Sequence, residues 1–123
     1  MTMHATYEEG ARLTKALGRL KERHRDMTAL QVMAFTYIAA NPGISARALM
    51  KPLGTQTEST ISRAIATLSD VGTKEIPNGL GLIELERSTE DRRRYTLRLS
   101  KKGRDLMNSI ANDLNGGRKK AHG

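Results

Sequence analysis

Apolar residues recur along this chain at two different periods, and the change from one to the other falls near residue 80. Before that point the spacing is helical. Leu13, Ala16, Leu17 and Leu20 share one side of a charged amphipathic helix expected over residues 7–24, with Arg12, Lys15, Arg19, Lys21 and Arg23 spread around the rest. Gly10 and Gly18 weaken its continuity, since a mid-helix glycine costs up to about 1 kcal/mol relative to alanine. A second helix, over 28–40, opens with Thr28 and Gln31 at capping-box spacing and with Met27 and Val32 placed for a hydrophobic staple. Leu30, Met33, Ala34, Tyr37 and Ile38 carry its period until Asn41-Pro42-Gly43 ends it. This is the most apolar stretch, and therefore the expected central core helix. Ser45 is a natural N-cap for a short third helix over 45–52, with Ala46, Leu49 and Met50 inward and Pro52 and Gly54 closing it.

The next stretch, 55–70, carries the chemistry. Thr55 and Glu58 again have capping-box spacing, and Ile61, Ala64, Ile65 and Leu68 form one apolar stripe. Gln56, Ser59, Thr60 and Arg63 fan out on the other side. Short hydroxyl and amide side chains with one arginine suit a helix that approaches base edges in a major groove. An ordinary surface helix with a mildly polar face has the same pattern. A short helix, a tight link and a longer helix make a helix-turn-helix, with the 28–40 helix beneath it.

After Val71-Gly72 the pattern changes. Residues 73–80, with Pro77 and Asn78-Gly79, read as a loop or a bent extension. The period then becomes two. Ile83 and Leu85 alternate with Glu84 and Glu86, and Tyr95, Leu97 and Leu99 alternate with Thr96 and Arg98. Between these strands lies RSTEDRRR, Arg87 to Arg94. Two strands with an arginine-rich tip after a helix-turn-helix describe a wing over 83–99. The expected fold class is α+β, a winged helix-turn-helix with flanking terminal helices in one domain over 1–123.

Such a tip can lie against phosphates or a narrow minor groove while the 55–70 helix enters the major groove. Asp91, among Arg92, Arg93 and Arg94, can hold a neighbouring guanidinium in position. A solvated hairpin tip held open by charge has the same composition. Ser100 then caps a final helix over 101–114 whose stripe is Leu106, Met107, Ile110, Ala111 and Leu114. That stripe has no obvious large surface left to cover within the domain. Pairing with the 7–24 helix, in the same chain and across a two-fold axis, would bury both. The polar, glycine-rich tail 115–123 is expected to be flexible.

Composition sharpens this picture. A chain of 123 residues with 3% aromatic content, no Trp and one Phe must build a modest core from Leu, Ile, Val, Met and Ala, which suits packed helices. The net charge is +8, from 21 Lys+Arg against 13 Asp+Glu. Acidic proteins, anionic membranes and nucleic acid all fit that charge; its concentration in the wing favours the last. The absence of cysteine excludes disulfides, thiolate metal sites and a thiol nucleophile. No apolar run approaches the length of a membrane helix, and MTMHATYEEG lacks a signal-peptide pattern, so a cytoplasmic protein with no membrane partner is expected. His4, His24 and His122 are scattered, Glu90 and Asp91 sit among arginines, and GLGL at 79–82 lacks the lysine and spacing of a phosphate loop. No enzyme, cofactor or metal is expected.

With those elements in place, the sequence resembles the MarR family of winged-helix transcription regulators over about Thr28 to Ala111. The resemblance lies in MTALQVMAFTYIAANPGISARALMKPLGTQTESTISRAIATLSDVG and above all in LIELERSTEDRRRYTLRLSKKGRDLM. The family's wing has an acidic residue, an arginine two positions later, a strand and a Leu-Thr-x-x-Gly helix start. Here these fall on Asp91, Arg93, Leu99, Ser100 and Gly103, with serine in place of threonine. The resemblance implies a homodimer joined by the terminal helices and reading a pseudo-palindromic site in double-stranded DNA. It assigns recognition to Gln56, Thr57, Ser59, Thr60 and Arg63 and the wing to Asp91 and Arg93.

Two departures stand out. The two-helix C-terminal dimerisation region of a typical member is curtailed after Leu114, and Thr73 to Leu80 looks like an insertion, either a plain loop or one whose Ile76 and Leu80 patch the core or contact a protein. Either Gly72 or Gly81 matches the family's glycine at that junction. Family members often respond to phenolic or other aromatic ligands or to thiol oxidation; without cysteine the second route is closed, and the sequence has no positive sign of an effector pocket. The leading expectation is a repressor, with Arg63 or Gln56 at base edges, Ser59 and Thr60 at bases or phosphates, and Arg92, Arg93 and Arg94 at the wing. The alternative is a phage or mobile-element protein that uses the fold to bind a host protein or assist DNA replication.

Overall fold

The computed structural model describes residues 3–87 and 95–116, so the expected wing-tip residues Asp91, Arg92, Arg93 and Arg94 and the tail beyond Gly116 lie outside the described residues. The elements run α1 (Met3–Arg23), α2 (Ala29–Ala40), β1 (Ile44–Ser45), a 3-10 turn (Arg47–Leu49), α3 (Met50–Leu53), α4 (Glu58–Leu68), β2 (Ile83–Arg87), β3 (Tyr95–Leu99) and α5 (Lys101–Leu114). The architecture is α+β, a winged helix with a terminal helix at each end.

Helix α2 is the hub, touching α3, α4, β3 and α5. Its start is a complete capping box: Gln31 N–H donates to Thr28 Oγ1 at 3.1 Å, and Thr28 N–H donates to Gln31 Oε1 at 3.0 Å. Ala34, Phe35 and Ile38 are fully buried, whereas Met33, expected inside, is 44% exposed. A single amphipathic stripe underestimates a helix enclosed from several directions. Phe35, the residue next to Ala34, enters the core because partners cover that side too.

The stretch after α2 differs from the expected 45–52 helix. Ile44 and Ser45 form a short strand that pairs antiparallel with β3, Ile44 opposite Leu97 and Ser45 opposite Thr96. Ser45 still caps, because Ala48 N–H donates to its Oγ at 3.2 Å, but the turn that follows is 3-10 before it becomes α3. The sheet order is β1-β3-β2. In the β2–β3 hairpin Ile83 faces Leu99, Leu85 faces Leu97 and Arg87 faces Tyr95. Ile83, Leu97 and Leu99 are buried, as the alternation predicts. On the outer face Arg98 lies 2.8 Å from Glu86 and 3.7 Å from Glu84, an exposed cluster worth at most about 1 kcal/mol.

Residues 69–82 are not a free insertion. The amides of Leu80, Gly81 and Leu82 donate to the carbonyls of Thr67, Ser69 and Leu68 at 2.9, 3.0 and 2.7 Å, and Gly72 N–H donates to Ala66 O at 2.8 Å. The returning chain thereby satisfies carbonyls that the end of α4 leaves open. Two glycines permit this approach. A Cβ on Gly72 would meet Pro77 O at 2.1 Å, and one on Gly79 would meet Ser69 O at 1.9 Å. Leu80 packs against the core, which settles that residue's role; Ile76 is half-buried and lies outside the core cluster.

Helix α5 starts as expected, with Gly103 N–H donating to Ser100 Oγ at 3.0 Å. Its apolar stripe finds more cover within the chain than its sequence suggests. Leu106 and Ile110 are buried with Ala16 and Leu20 of α1 in the common core. What remains exposed is Leu13, Leu17 and Tyr7 on α1 and Leu114 on α5. The layer also holds a carboxylate that the apolar spacing concealed. The Asp113 side chain is 1% exposed and takes both the Nε and, at 3.1 Å, the Nη2 of Arg19, with Lys15 Nζ at 3.8 Å. The Arg19 hydrogen bonds hold the Asp113 carboxyl below its ordinary pKa, outweighing the opposing effect of desolvation. Its stabilising contribution is therefore full above the unfolded-state pKa of about 3.9 and is lost as pH falls through the lower folded value.

Asp113→Asn should consequently be less stable than the native chain by a constant margin above about pH 5, with the margin closing below about pH 4; denaturant titrations from pH 3 to pH 8 measure this, and a margin independent of pH would remove the ion pair from the account. Gly18 is exposed on α1 with no atom within 4 Å of an added Cβ, so Gly18→Ala should stabilise by roughly 0.5–1 kcal/mol. Gly79→Ala meets both a positive φ and a backbone oxygen, and thermal unfolding should show a loss of about 2 kcal/mol or more.

Candidate nucleic-acid interface

The turn into α4 is built by Gly54. Its φ of +68° places it in the left-handed region, Gly54 N–H donates to Lys51 O at 3.1 Å and Thr55 N–H donates to Met50 O at 3.1 Å. This is a Schellman ending, and it turns the chain sharply out of α3. The following residues depart from the expected capping box. Helix α4 begins at Glu58, so Thr57 is the N-cap, and its side chain makes no capping bond. Thr55 Oγ1 instead accepts from Thr57 N–H at 3.3 Å, and the hydroxyls of Thr57 and Thr60 lie 2.6 Å apart. Thr55 organises the turn because Gly54 and the Schellman bonds hold it three residues before the helix. Gln56 belongs to that turn, and the helix is shorter than the expected 55–70 at both ends.

The two sides of α4 are cleanly divided. Ile61, Ala64, Ile65, Thr67 and Leu68 are buried. Ser59, Ser62 and Arg63 are exposed, Thr60 is half-buried, and Gln56 and Thr57 are exposed just before the first turn. The structure thus brings Gln56, Thr57, Ser59, Thr60 and Arg63 together on one outward surface. Among the described residues the side chains of Arg63 and Ser59 make no hydrogen bond or ion pair. The first-turn amides of α4 are likewise not taken up by a side chain of Thr57. Unengaged amides at a helix N-terminus, hydroxyls and a free guanidinium form a surface of donors suited to phosphate oxygens and base-edge acceptors.

Three further residues face outward. Ser62 is exposed beside Ser59 and Arg63, and Arg47 and Lys51 are exposed on the first half of the helix-turn-helix. The signal for the two basic residues in the sequence is their spacing by four, which sets them on one side of a helical turn. In the wing, Arg87 Nη2 donates to Tyr95 Oη at 3.1 Å, and its guanidinium lies over the Tyr95 ring, 5.0 Å from the centroid. That pair clamps the last described rung of the hairpin, immediately before 88–94, where Asp91, Arg92, Arg93 and Arg94 fall outside the described residues. Among the described residues no group of His, Cys, Asp or Glu could hold a metal, and no helix is long and apolar enough to cross a membrane.

A three-stranded sheet with a helix-turn-helix and a hairpin wing makes this a winged-helix protein. Its fold is that of the MarR regulators. The chain superposes on the crystal structure of MarR with a TM-score of 0.59 at 24% identity, covering 85% of this chain and 74% of that one. It matches S. aureus MepR in its DNA complex with a TM-score of 0.66 at 22% identity, covering 84% and 75%. It matches the transcriptional regulator Tm0710 from Thermotoga maritima with a TM-score of 0.64 at 18% identity, covering 91% and 68%. No protein-family model and no curated protein matches the chain.

Proposed function

We propose that this chain is a MarR-family transcription regulator that binds a defined site in double-stranded DNA. The observation that carries the proposal is the outward face of α4, where Ser59, Ser62 and Arg63 stand exposed beyond a fully buried stripe. A surface helix with no partner in mind has little reason to keep an arginine unpaired among hydroxyls beside an open N-terminus. The fold adds support, because MepR, which shares it, has been crystallised on DNA.

In this reading Arg63 or Gln56 contacts base edges, Ser59, Thr60 and Thr57 contact bases or phosphates, and the wing residues Asp91, Arg92, Arg93 and Arg94 serve the flanking backbone or minor groove. Arg47 and Lys51 add phosphate contacts from the first half of the motif. Two copies act together, joined through the α1–α5 layer, where Leu13, Leu17 and Leu114 remain exposed for a second subunit. A two-fold dimer requires a pseudo-palindromic site, and occupation of a promoter by it makes the simplest regulator a cytoplasmic repressor. The exposed Val71 beside the lashed 72–79 segment supports a second reading, in which the same fold docks on a host protein as part of a mobile element.

Selection of bound fragments from genomic DNA at near-physiological salt, with the mass in solution measured in parallel, separates the two readings: enrichment of one inverted repeat by a dimer supports the regulator, and uniform retention of all fragments sinks it. On the selected duplex, Arg63→Ala should cost about 1–3 kcal/mol of discrimination at one base position while leaving binding to a scrambled duplex nearly unchanged. Arg94→Gln should weaken both duplexes alike and lower the slope of log K against log salt by about 1.

A further inference from the structure

One residue joins the recognition helix to the terminal-helix layer with its own peptide groups. Leu82 N–H donates to the carbonyl of Leu68, the last residue of α4, at 2.7 Å, and Leu82 C=O accepts from Ser100 N–H, the N-cap of α5, at 3.0 Å. A second strand of bonds runs alongside. Gly81 N–H donates to Ser69 O at 3.0 Å, and Ser100 Oγ donates to Gly81 O at 2.6 Å while accepting from Gly103 N–H at 3.0 Å. The Leu82 side of the joint is dry, with Leu82, Ser69 and Leu68 all 0% exposed, while Gly81 and Ser100 are half-buried.

The first turn of α5 sits directly on this peptide. An added Cβ at Gly103 would lie 2.0 Å from Leu82 O, 3.0 Å from Leu82 C and 3.3 Å from the Leu99 side chain. Gly103 has no unusual φ to demand glycine, so the demand is space alone. At its far end α5 is tied to α1 through Asp113 and Arg19. Close-packed interiors transmit displacement, and a displacement of α5 at this joint reaches the end of α4 without passing through a flexible segment.

We propose that the Gly81–Leu82 joint sets the orientation of the recognition helix relative to the terminal helices, and that Ser100 and Gly103 are positioning residues for DNA reading although they lie on α5. The inference rests on the DNA-binding reading for its second half and on geometry alone for its first. Sequence discrimination requires base contacts at fixed distance and angle, whereas phosphate attraction tolerates a tilted helix. Loss of the joint should therefore erode discrimination more than affinity.

The absence of cysteine makes the geometry directly measurable, since Ser62→Cys with Asn108→Cys places unique spin labels on exposed positions of α4 and α5. Pulsed electron–electron resonance on this pair, without DNA, should show a shifted or broadened distance in Gly103→Ala and in Ser100→Ala, a native distance in Ser100→Thr, and a native distance in Ile110→Val, a core change away from the joint. In unlabelled protein, at a temperature where circular dichroism shows each variant folded, the cognate-to-scrambled affinity ratio should fall at least about fivefold for Ser100→Ala and Gly103→Ala, the equivalent of one lost base contact, and recover in Ser100→Thr. If Gly103→Ala does not fold, the Ser100 pair decides. Native label distances in the folded variants would overturn the joint, and so would an equal loss of discrimination in Ile110→Val. If the native chain itself shows no discrimination, the DNA reading fails while the label distances still test the joint.

Discussion

Everything at the candidate interface depends on the burial of one side of α4. An isolated eleven-residue helix is not stable in water, so α4 exists because Ile61, Ile65 and Leu68 leave solvent against the core, each contributing roughly 1.5–3 kcal/mol. The same burial decides what faces outward. Once the stripe is turned toward α2, Ser59, Ser62 and Arg63 have nowhere to go but solvent, and among the described residues no carboxylate pairs with the arginine. The candidate recognition surface is thus the complement of the core. Changing the core's register on α4 by a single position would rotate a different set of residues outward.

Holding the stripe in place is not sufficient to aim the helix. Aim requires both ends, and they are held by different means. At the start, the left-handed Gly54 and its Schellman bonds turn the chain, leaving the first-turn amides open. At the end, the returning segment 69–82 takes up the carbonyls of Ala66 to Ser69, with Gly72 and Gly79 admitting backbone where a side chain would collide. That segment then becomes the strand of the wing. One stretch of chain therefore fixes the end of α4, begins the hairpin and receives the N-terminus of α5. The α1–α5 layer behind it carries a buried carboxylate satisfied by Arg19 and Lys15, which makes the pairing of these helices specific as well as apolar.

Much of this was legible in the pattern of residues. Helix caps read correctly where the cap is purely local, as with the capping box at Thr28 and the N-cap at Ser100, because all the atoms involved lie within four residues. The box expected at Thr55 failed because a neighbouring constraint, the turn at Gly54, outranked it. The outward set Gln56, Ser59, Thr60 and Arg63 followed from helical period, and Thr57 from the family resemblance, although Gln56 and Thr57 prove to precede the helix. Strand alternation placed Ile83, Leu97 and Leu99 inside for the same reason. Ser62, Arg47 and Lys51 are outward because nothing packs over them, which the inward stripes of their elements do not report, although the four-residue spacing of Arg47 and Lys51 hints at it.

The chain by itself determined its longer helices, its hairpin, the sidedness of α4 and the winged-helix class, since each arises from spacing and caps over a few residues. Tertiary structure alone decided the rest. A two-residue strand at Ile44 has no periodicity to betray it and exists only because β3 is there to pair with it. Asp113 looks like a solvated helix charge until Arg19, ninety-four residues away in the chain, is brought against it. The lashing of 69–82 to α4, and the peptide of Leu82 between two helices, likewise join residues whose proximity no local spacing encodes. Their hydrogen bonds are made by backbone groups that every residue carries, so the side-chain sequence marks them only indirectly, through the glycines that leave room.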